Sequence, residues 1–144
     1  MLFGLDVLQP KPQHFSYLLD NHFRVFTGQA VIADPVGAMM EALTFLKKSC
    51  DLVLLHFDVD VVDSGQWPLE NYPSYGGVEF STIKMAVQTE LADKAVVGLV
   101  VTEVNPNNDQ TRVMLEELVE ALVGGFSERM LLVEETDTTW LGRL

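Results

Sequence analysis

Two short stretches of the chain carry residue types and spacings that could do chemistry. The first is His56-Phe57-Asp58-Val59-Asp60, followed by Asp63; the second is Thr102-Glu103-Val104-Asn105-Pro106. Side chains two residues apart on extended chain point to the same side, which groups His56, Asp58 and Asp60. Like charges held so close are unfavourable unless a cation or hydrogen-bond donors neutralise them. Carboxylate oxygens suit magnesium, calcium or manganese, and an added imidazole moves the preference toward manganese, iron or zinc. Two readings stand here: a metal site of His56, Asp58 and Asp60, or an aspartate pair that faces water or caps a neighbouring helix. His56 is open in the same way, as a ligand or as a hydrogen-bonded core residue. His14 and His22 lie on or beside a helical stretch and read as surface residues.

The elements that must position these residues emerge from periodicity and punctuation. Residues 52–57, LVLLHF, form a continuous apolar run without alternation, the pattern of a strand covered on both faces in a parallel sheet. Residues 95–104, AVVGLVVTEV, repeat that pattern. Between them, residues 58–77 read as a polar, turn-rich loop and residues 79–91 as a helix. Upstream, an apolar stretch at residues 1–7 precedes a helix over 13–21 that shows Phe15, Leu18 and Leu19 on one face, and a brief strand over 24–27. Asp34-Pro35 opens a helix, since Asp caps well and Pro suits the first turn. That helix should reach about Lys48 and bury Val36, Met39, Met40, Leu43 and Leu46. Downstream, residues 110–123 form an acidic helix expected to end at Gly124-Gly125. Residues 130–144 are ambiguous, with a short strand possible at 131–133. Strands alternating with helices imply βαβ units and a mainly parallel sheet in one domain spanning residues 1–144. Ligands in such sheets bind beyond the carboxyl ends of the strands, where both acidic stretches fall.

Composition narrows the partners. Asp and Glu number 21 against 9 Lys and Arg, a net charge of −12. That field repels phosphate backbones and anionic membrane surfaces and attracts small cationic molecules, so neither nucleic acid nor a membrane is expected as a partner. Cys50 is the only cysteine, which excludes an intramolecular disulfide and a thiolate cluster. The first residues show no basic segment ahead of an apolar stretch and no small-residue cleavage site, and no apolar run is long enough for a span. A soluble, cytoplasmic protein is the expectation. No GxSxG elbow, Walker loop or dinucleotide fingerprint occurs, no catalytic nucleophile stands out, and Gly76-Gly77 lacks the preceding strand of a phosphate cradle.

The order HFDVDVVD, then YPSYGGVEF, then VTEVNPNND resembles the ureohydrolase signature of the arginase and agmatinase family. There a strand ends S-F-D-x-D-x-x-D-P, a loop P-x-x-G-T-P-x-x-G-G-L leads into a helix, and the next strand ends E-V-N-P-x-x-D. FGLDVLQP is similar to an earlier strand of that family. The resemblance covers about residues 2–123 and corresponds to the C-terminal half of the family fold. It implies a truncated three-layer α/β/α fold and a metal-dependent hydrolase acting on a C–N bond of a guanidino or amidine-like compound. It also implies a manganese centre that activates water, with one or two ions and other divalent metals still open. By motif, Asp58 and Asp60 match metal-binding aspartates, and Glu103 matches the acid that contacts a guanidinium.

The departures are as informative. The family's remaining metal ligands come from an earlier histidine and a D-A-H-x-D segment, and this chain has no DxHxD. His56 replaces serine or threonine, Ser64 replaces the proline after the third aspartate, and the Gly-Thr-Pro loop has become Asn71-Tyr72-Pro73-Ser74-Tyr75. Three arrangements are open: a half that needs a complementing chain, a small protein with a rebuilt site holding as few as one ion, or a non-catalytic pseudoenzyme serving as an interaction subunit. The strand at residues 95–104 is too apolar for a bare edge, so a complementing chain, a second copy or the segment 130–144 is expected to cover it.

Overall fold

The computed structural model describes residues 1–8 and 11–137. Along the chain, β1 (Leu2–Leu5) is succeeded by α1 (Pro12–Asp20), β2 (Val25–Thr27), α2 (Gly28–Ala33) and α3 (Pro35–Leu46). Then come β3 (Val53–Asp58), α4 (Phe80–Ala92), β4 (Val96–Thr102) and α5 (Val113–Asp137). Single 3-10 turns, Val59–Val61 and Pro106–Asn108, come after β3 and β4. The strands form two parallel pairs. β1 lies beside β2, with Phe3 opposite Phe26. β3 lies beside β4, in a register running from Leu54 opposite Gly98 to Asp58 opposite Thr102. The fold is the expected truncated α/β arrangement, with the sheet in two parts.

Local chemistry accounts for the helix starts. The Asp34 carboxylate accepts from the Gly37 N–H at 2.9 Å, with Pro35 in the first turn of α3. Thr27 does the same for α2, its hydroxyl accepting from the Ala30 N–H at 3.2 Å. The sequence reading missed α2 because six residues are too few for helical periodicity to declare itself. In α3, Met39, Ala42 and Leu43 are buried, whereas Val36 and Met40 of the expected stripe are exposed. Leu19 of α1 is exposed as well.

α3, α4 and α5 bury their apolar faces together with Val53, Phe57 and Val96 of the β3–β4 pair. The opposite face of that pair carries Leu54, His56 and Asp58 and lies open; Leu54 is 65% exposed. The apolar run of β3 suggested cover on both faces, but among the described residues only one face has it. Neither outer edge of the pair carries a further strand among those residues. Near the start of β4, the Arg129 guanidinium donates to the main-chain oxygens of Val96 (2.6 Å) and Lys94 (3.3 Å).

α5 does not end at Gly124-Gly125 but passes through both glycines, and residues 131–133 continue the helix instead of forming a strand. Residues 138–144, the rest of the ambiguous tail, lie outside the described residues. The physical reason for the uninterrupted helix is close packing. A Cβ on Gly125 would lie 2.8 Å from the Cβ of Leu91 and 3.1 Å from the Cα of Gln88. The glycine lets α5 approach the backbone of α4. No helix among the described residues is long and apolar enough to cross a membrane.

The helical layer can be tested at its glycines and at its buried acid. Gly125→Val should lower stability by about 1–3 kcal/mol through overpacking. Gly124→Ala, whose Cβ meets only the movable Gln88 amide, should add up to about 1 kcal/mol of helix propensity. Urea unfolding of both variants checks the contrast. Glu90, buried in α4, has its carboxyl pushed up by desolvation from 4.5 to about 7. The folded state therefore holds the proton more tightly, so the Glu90 contribution to stability is greatest at low pH. It falls as pH rises from 4.5 through 7, by about 3 kcal/mol in all. Glu90→Gln should raise the melting temperature above pH 7 and leave it nearly unchanged below pH 4.5, which thermal denaturation across that window measures.

Candidate functional site

Because β3 and β4 are parallel and in register, their carboxyl ends lie side by side, placing Asp58 next to Thr102 and just before Glu103. His56 lies on the outward face, its Nε2 2.8 Å from the Thr102 hydroxyl. It is exposed among the described residues, on the same face as Asp58. Asp60 is different. The strand ends at Asp58, and the Asp58 carboxylate caps the adjoining turn by accepting from the Asp60 N–H at 3.0 Å. The aspartates are thus not successive residues of one extended strand, and the capping alternative describes part of what Asp58 does.

The Asp60 carboxylate turns inward. Its Oδ1 is buried without a hydrogen-bond partner, and the Tyr72 N–H donates to the group. Burial, with the neighbouring charges of Asp58, Glu103 and Glu70, pushes its carboxyl from 3.8 up to about 6, against the lowering effect of the Tyr72 donor. Asp63 has a structural task. Its carboxylate accepts from the N–H groups of Gly65 (2.9 Å) and Gly76 (2.6 Å), closing the loop. Gly77 lies so close to the main chain of residues 61–63 that a Cβ would come within 2.9 Å of it, and Gly76 has a φ of +83°. The glycine pair therefore serves a tight loop crossing, not a phosphate cradle. Trp67 anchors the same loop, stacked on Phe80 with ring centroids 4.3 Å apart.

The second acidic stretch grips this loop. The Leu69 carbonyl accepts from the Asn105 N–H at 2.7 Å, and the Asn71 N–H donates to the Glu103 carbonyl at 2.9 Å. The Asn108 amide donates to the Glu70 carbonyl at 2.9 Å, and the Asn71 amide to the Glu103 carboxylate at 3.1 Å. Glu103 itself sits at φ +62°, a left-handed conformation that costs a non-glycine residue roughly 1–2 kcal/mol. Strain of this kind clusters at functional sites. Sequence reading missed Glu70, which is 2% exposed and carries a second buried, unpartnered oxygen, Oε2. Its only sequence signal is a carboxylate inside a loop otherwise rich in Pro, Tyr and Asn.

A cleft of about 480 Å³ opens beside Asp60, bounded by the carboxyl end of β1, the start of α2 and the loop at residues 74–78. The donors suit a hard divalent cation in kind, since Asp60 Oδ1 and Glu70 Oε2 are buried acceptors with nothing to accept from. They fall short in number. Among the described residues no three His, Cys, Asp or Glu side chains converge closely enough to hold a metal ion. His56, Asp58 and Asp60 are therefore neighbours here but not a formed triad.

Parallel strands with acidic residues at their carboxyl ends place the chain among the α/β domains, in which ligands characteristically bind beyond that rim. More narrowly, the chain belongs to the arginase family, whose model matches residues 1–124. Among solved structures it is similar to the arginase of Helicobacter pylori, with a TM-score of 0.74 and 17% identity over 86% of this chain and 43% of that one. It is similar to formimidoylglutamase from Bacillus subtilis subsp. subtilis str. 168, with a TM-score of 0.74 and 20% identity over 85% of this chain and 40% of that one. For arginase from Bacillus caldovelox the TM-score is 0.74, with 23% identity over 86% and 41%. The chain thus spans less than half the length of these proteins. No curated protein matches it in sequence.

The raised carboxyl of Asp60 yields a test of the site's electrostatics. Its cost is absent below pH 3.8 and grows as pH rises through about 6. Without added metal, Asp60→Asn should raise the melting temperature above that range and leave it unchanged at the acid end. Thermal scans at the two extremes report the difference.

Proposed function

We propose that this chain supplies half of a metal-dependent hydrolase of the ureohydrolase type, acting on a C–N bond of a guanidino or amidine-like compound. The observation that carries this reading is the buried, unpartnered Asp60 Oδ1 at the carboxyl rim, with Asp58, Glu70 and Glu103 acting on it and the cleft beside it. Asp58 and Asp60 would hold a divalent cation, manganese by resemblance, with His56 next in line on the Asp58 side. Such an ion supplies Lewis acidity and lowers the pKa of bound water. Glu103 binds the cationic end of the substrate, steadied by the Asn71 amide. A charge-assisted contact between carboxylate and guanidinium is among the stronger polar interactions. The net charge of −12 draws a small cation toward the rim. We place the protein in the cytoplasm, in keeping with its single cysteine.

The missing ligands come, in this proposal, from a complementing polypeptide that carries the rest of the family fold. Its seat is the open face of the β3–β4 pair, where Leu54 and Val100 are exposed beside His56. Matched proteins of about twice this length support that reading, as does an apolar face left without cover among the described residues. The shortage of converging ligands favours a second reading, a non-catalytic interaction subunit that keeps the face and has lost the chemistry.

Manganese decides between them. Manganese in hundredfold excess over its dissociation constant should stabilise the chain by about 2.7 kcal/mol. Asp58→Asn combined with Asp60→Asn should abolish that gain. Equal melting temperatures with and without millimolar manganese would overturn the metal site and leave the interaction subunit. Sedimentation at micromolar concentration reads the cover: a complex with a second polypeptide is expected, a homodimer would assign the face to a second copy, and a stable monomer would remove the complementing chain.

A further inference from the structure

We propose that the cleft at the carboxyl end of β1 holds the body of the substrate and selects a guanidino compound with an aliphatic body and no acidic group. The inference rests on reading the rim as a guanidino site, and it adds the chemistry of the rest of the molecule, which that reading leaves open.

Three features of the cleft carry it. The first is its construction, from segments far apart in sequence. Gly4 of β1 has a φ of +80°, and a Cβ there would lie 2.5 Å from Val61 Cγ2, so the strand approaches the turn after β3 closely. With Gly77 pressed against the main chain of residues 61–63, backbone approach forms the cleft before a ligand arrives. Its volume of about 480 Å³ is that of a small-molecule site. The second feature is the wall. Leu5, Val7, Ile32, Val61 and Val78 offer apolar side chains to methylene groups, and the exposed Tyr75 ring lines the cleft with them. An aromatic face also attracts a guanidinium. The third is charge. Asp6 and Asp60 line the cleft, and none of the described residues that line it is Lys, Arg or His. The Asp6 carboxylate is held in place by accepting from the Leu8 N–H at 2.8 Å. A ligand carboxylate would give up water against apolar walls, find no cationic partner there and meet two like charges. A ligand that ends in a methyl group meets none of these costs.

Calorimetric titration of the purified chain with butylguanidine and with 4-guanidinobutyrate tests the selection, because the two differ only by a carboxylate in place of the terminal methyl. Butylguanidine should bind saturably, and 4-guanidinobutyrate at least about tenfold more weakly. Gln29→Lys puts a cation into the lining at an exposed position of α2. It should close the gap by tightening 4-guanidinobutyrate, since a charge-assisted partner is now present. If the parent binds 4-guanidinobutyrate as tightly as butylguanidine, or more tightly, the cleft does not exclude acids; the inference falls while the guanidino reading stands. A gap that Gln29→Lys leaves unchanged would mean that the preference is set outside the cleft, and the inference falls in that case too. Absence of saturable binding of either compound by the parent removes the inference and the guanidino reading together.

Discussion

The parallel pairing of β3 with β4, in the register that sets Asp58 beside Thr102, is the constraint on which the rest of the molecule depends. Parallel strands place their carboxyl ends at one rim, and the chain must turn there as it leaves each strand. After β3 it turns on the Asp58 cap; after β4 it passes through Glu103 in a left-handed conformation. The two turns then lock onto each other through the main-chain bonds between residues 69–71 and 103–105. A slip of one residue would carry His56 and Asp58 to the helical face and Phe57 to the open one.

That lock concentrates negative charge. Asp58, Glu70 and Glu103 all act on Asp60 at a single rim, where Asp60 and Glu70 each have one oxygen shut off from water. Nothing in packing requires this, because an amide at either position would keep the volume and remove the repulsion. Asp109 is the contrast. It is buried like Glu70, yet its carboxylate accepts from Thr111 and from the Leu115 N–H at the start of α5. The chain can satisfy a buried acid where the acid is structural, and at the rim it does not.

The helical layer has a different logic. α3, α4 and α5 close a continuous core against one face of the β3–β4 pair, and Gly125 lets α5 come within backbone distance of α4. The other face keeps an apolar surface in the open, with Leu54 over Gly98 and Val100 alongside. Among the described residues one side is finished as a protein interior, and the other leaves its apolar side chains open.

The sequence by itself determined the elements whose signals are local. Apolar runs marked β3 and β4, Asp34-Pro35 marked the start of α3, and the spacing of HFDVDVVD, YPSYGGVEF and VTEVNPNND marked the arginase family and the rim. Where the sequence misled, distant contacts decided. Gly124-Gly125 reads as a helix end but is a crossing point, because its reason lies on α4. The run LVLLHF reads as buried on both faces because apolar periodicity records what a strand is built to contact, not whether that contact is present. The DxD spacing suggested two aspartates on one extended face, but only the fold shows that the strand stops at Asp58 and sends Asp60 inward. Glu70 had no motif to announce it. Tertiary structure alone brought it to Asp60, since burial and charge proximity depend on how residues 69–71 meet residues 103–105, and no spacing along the chain encodes that meeting.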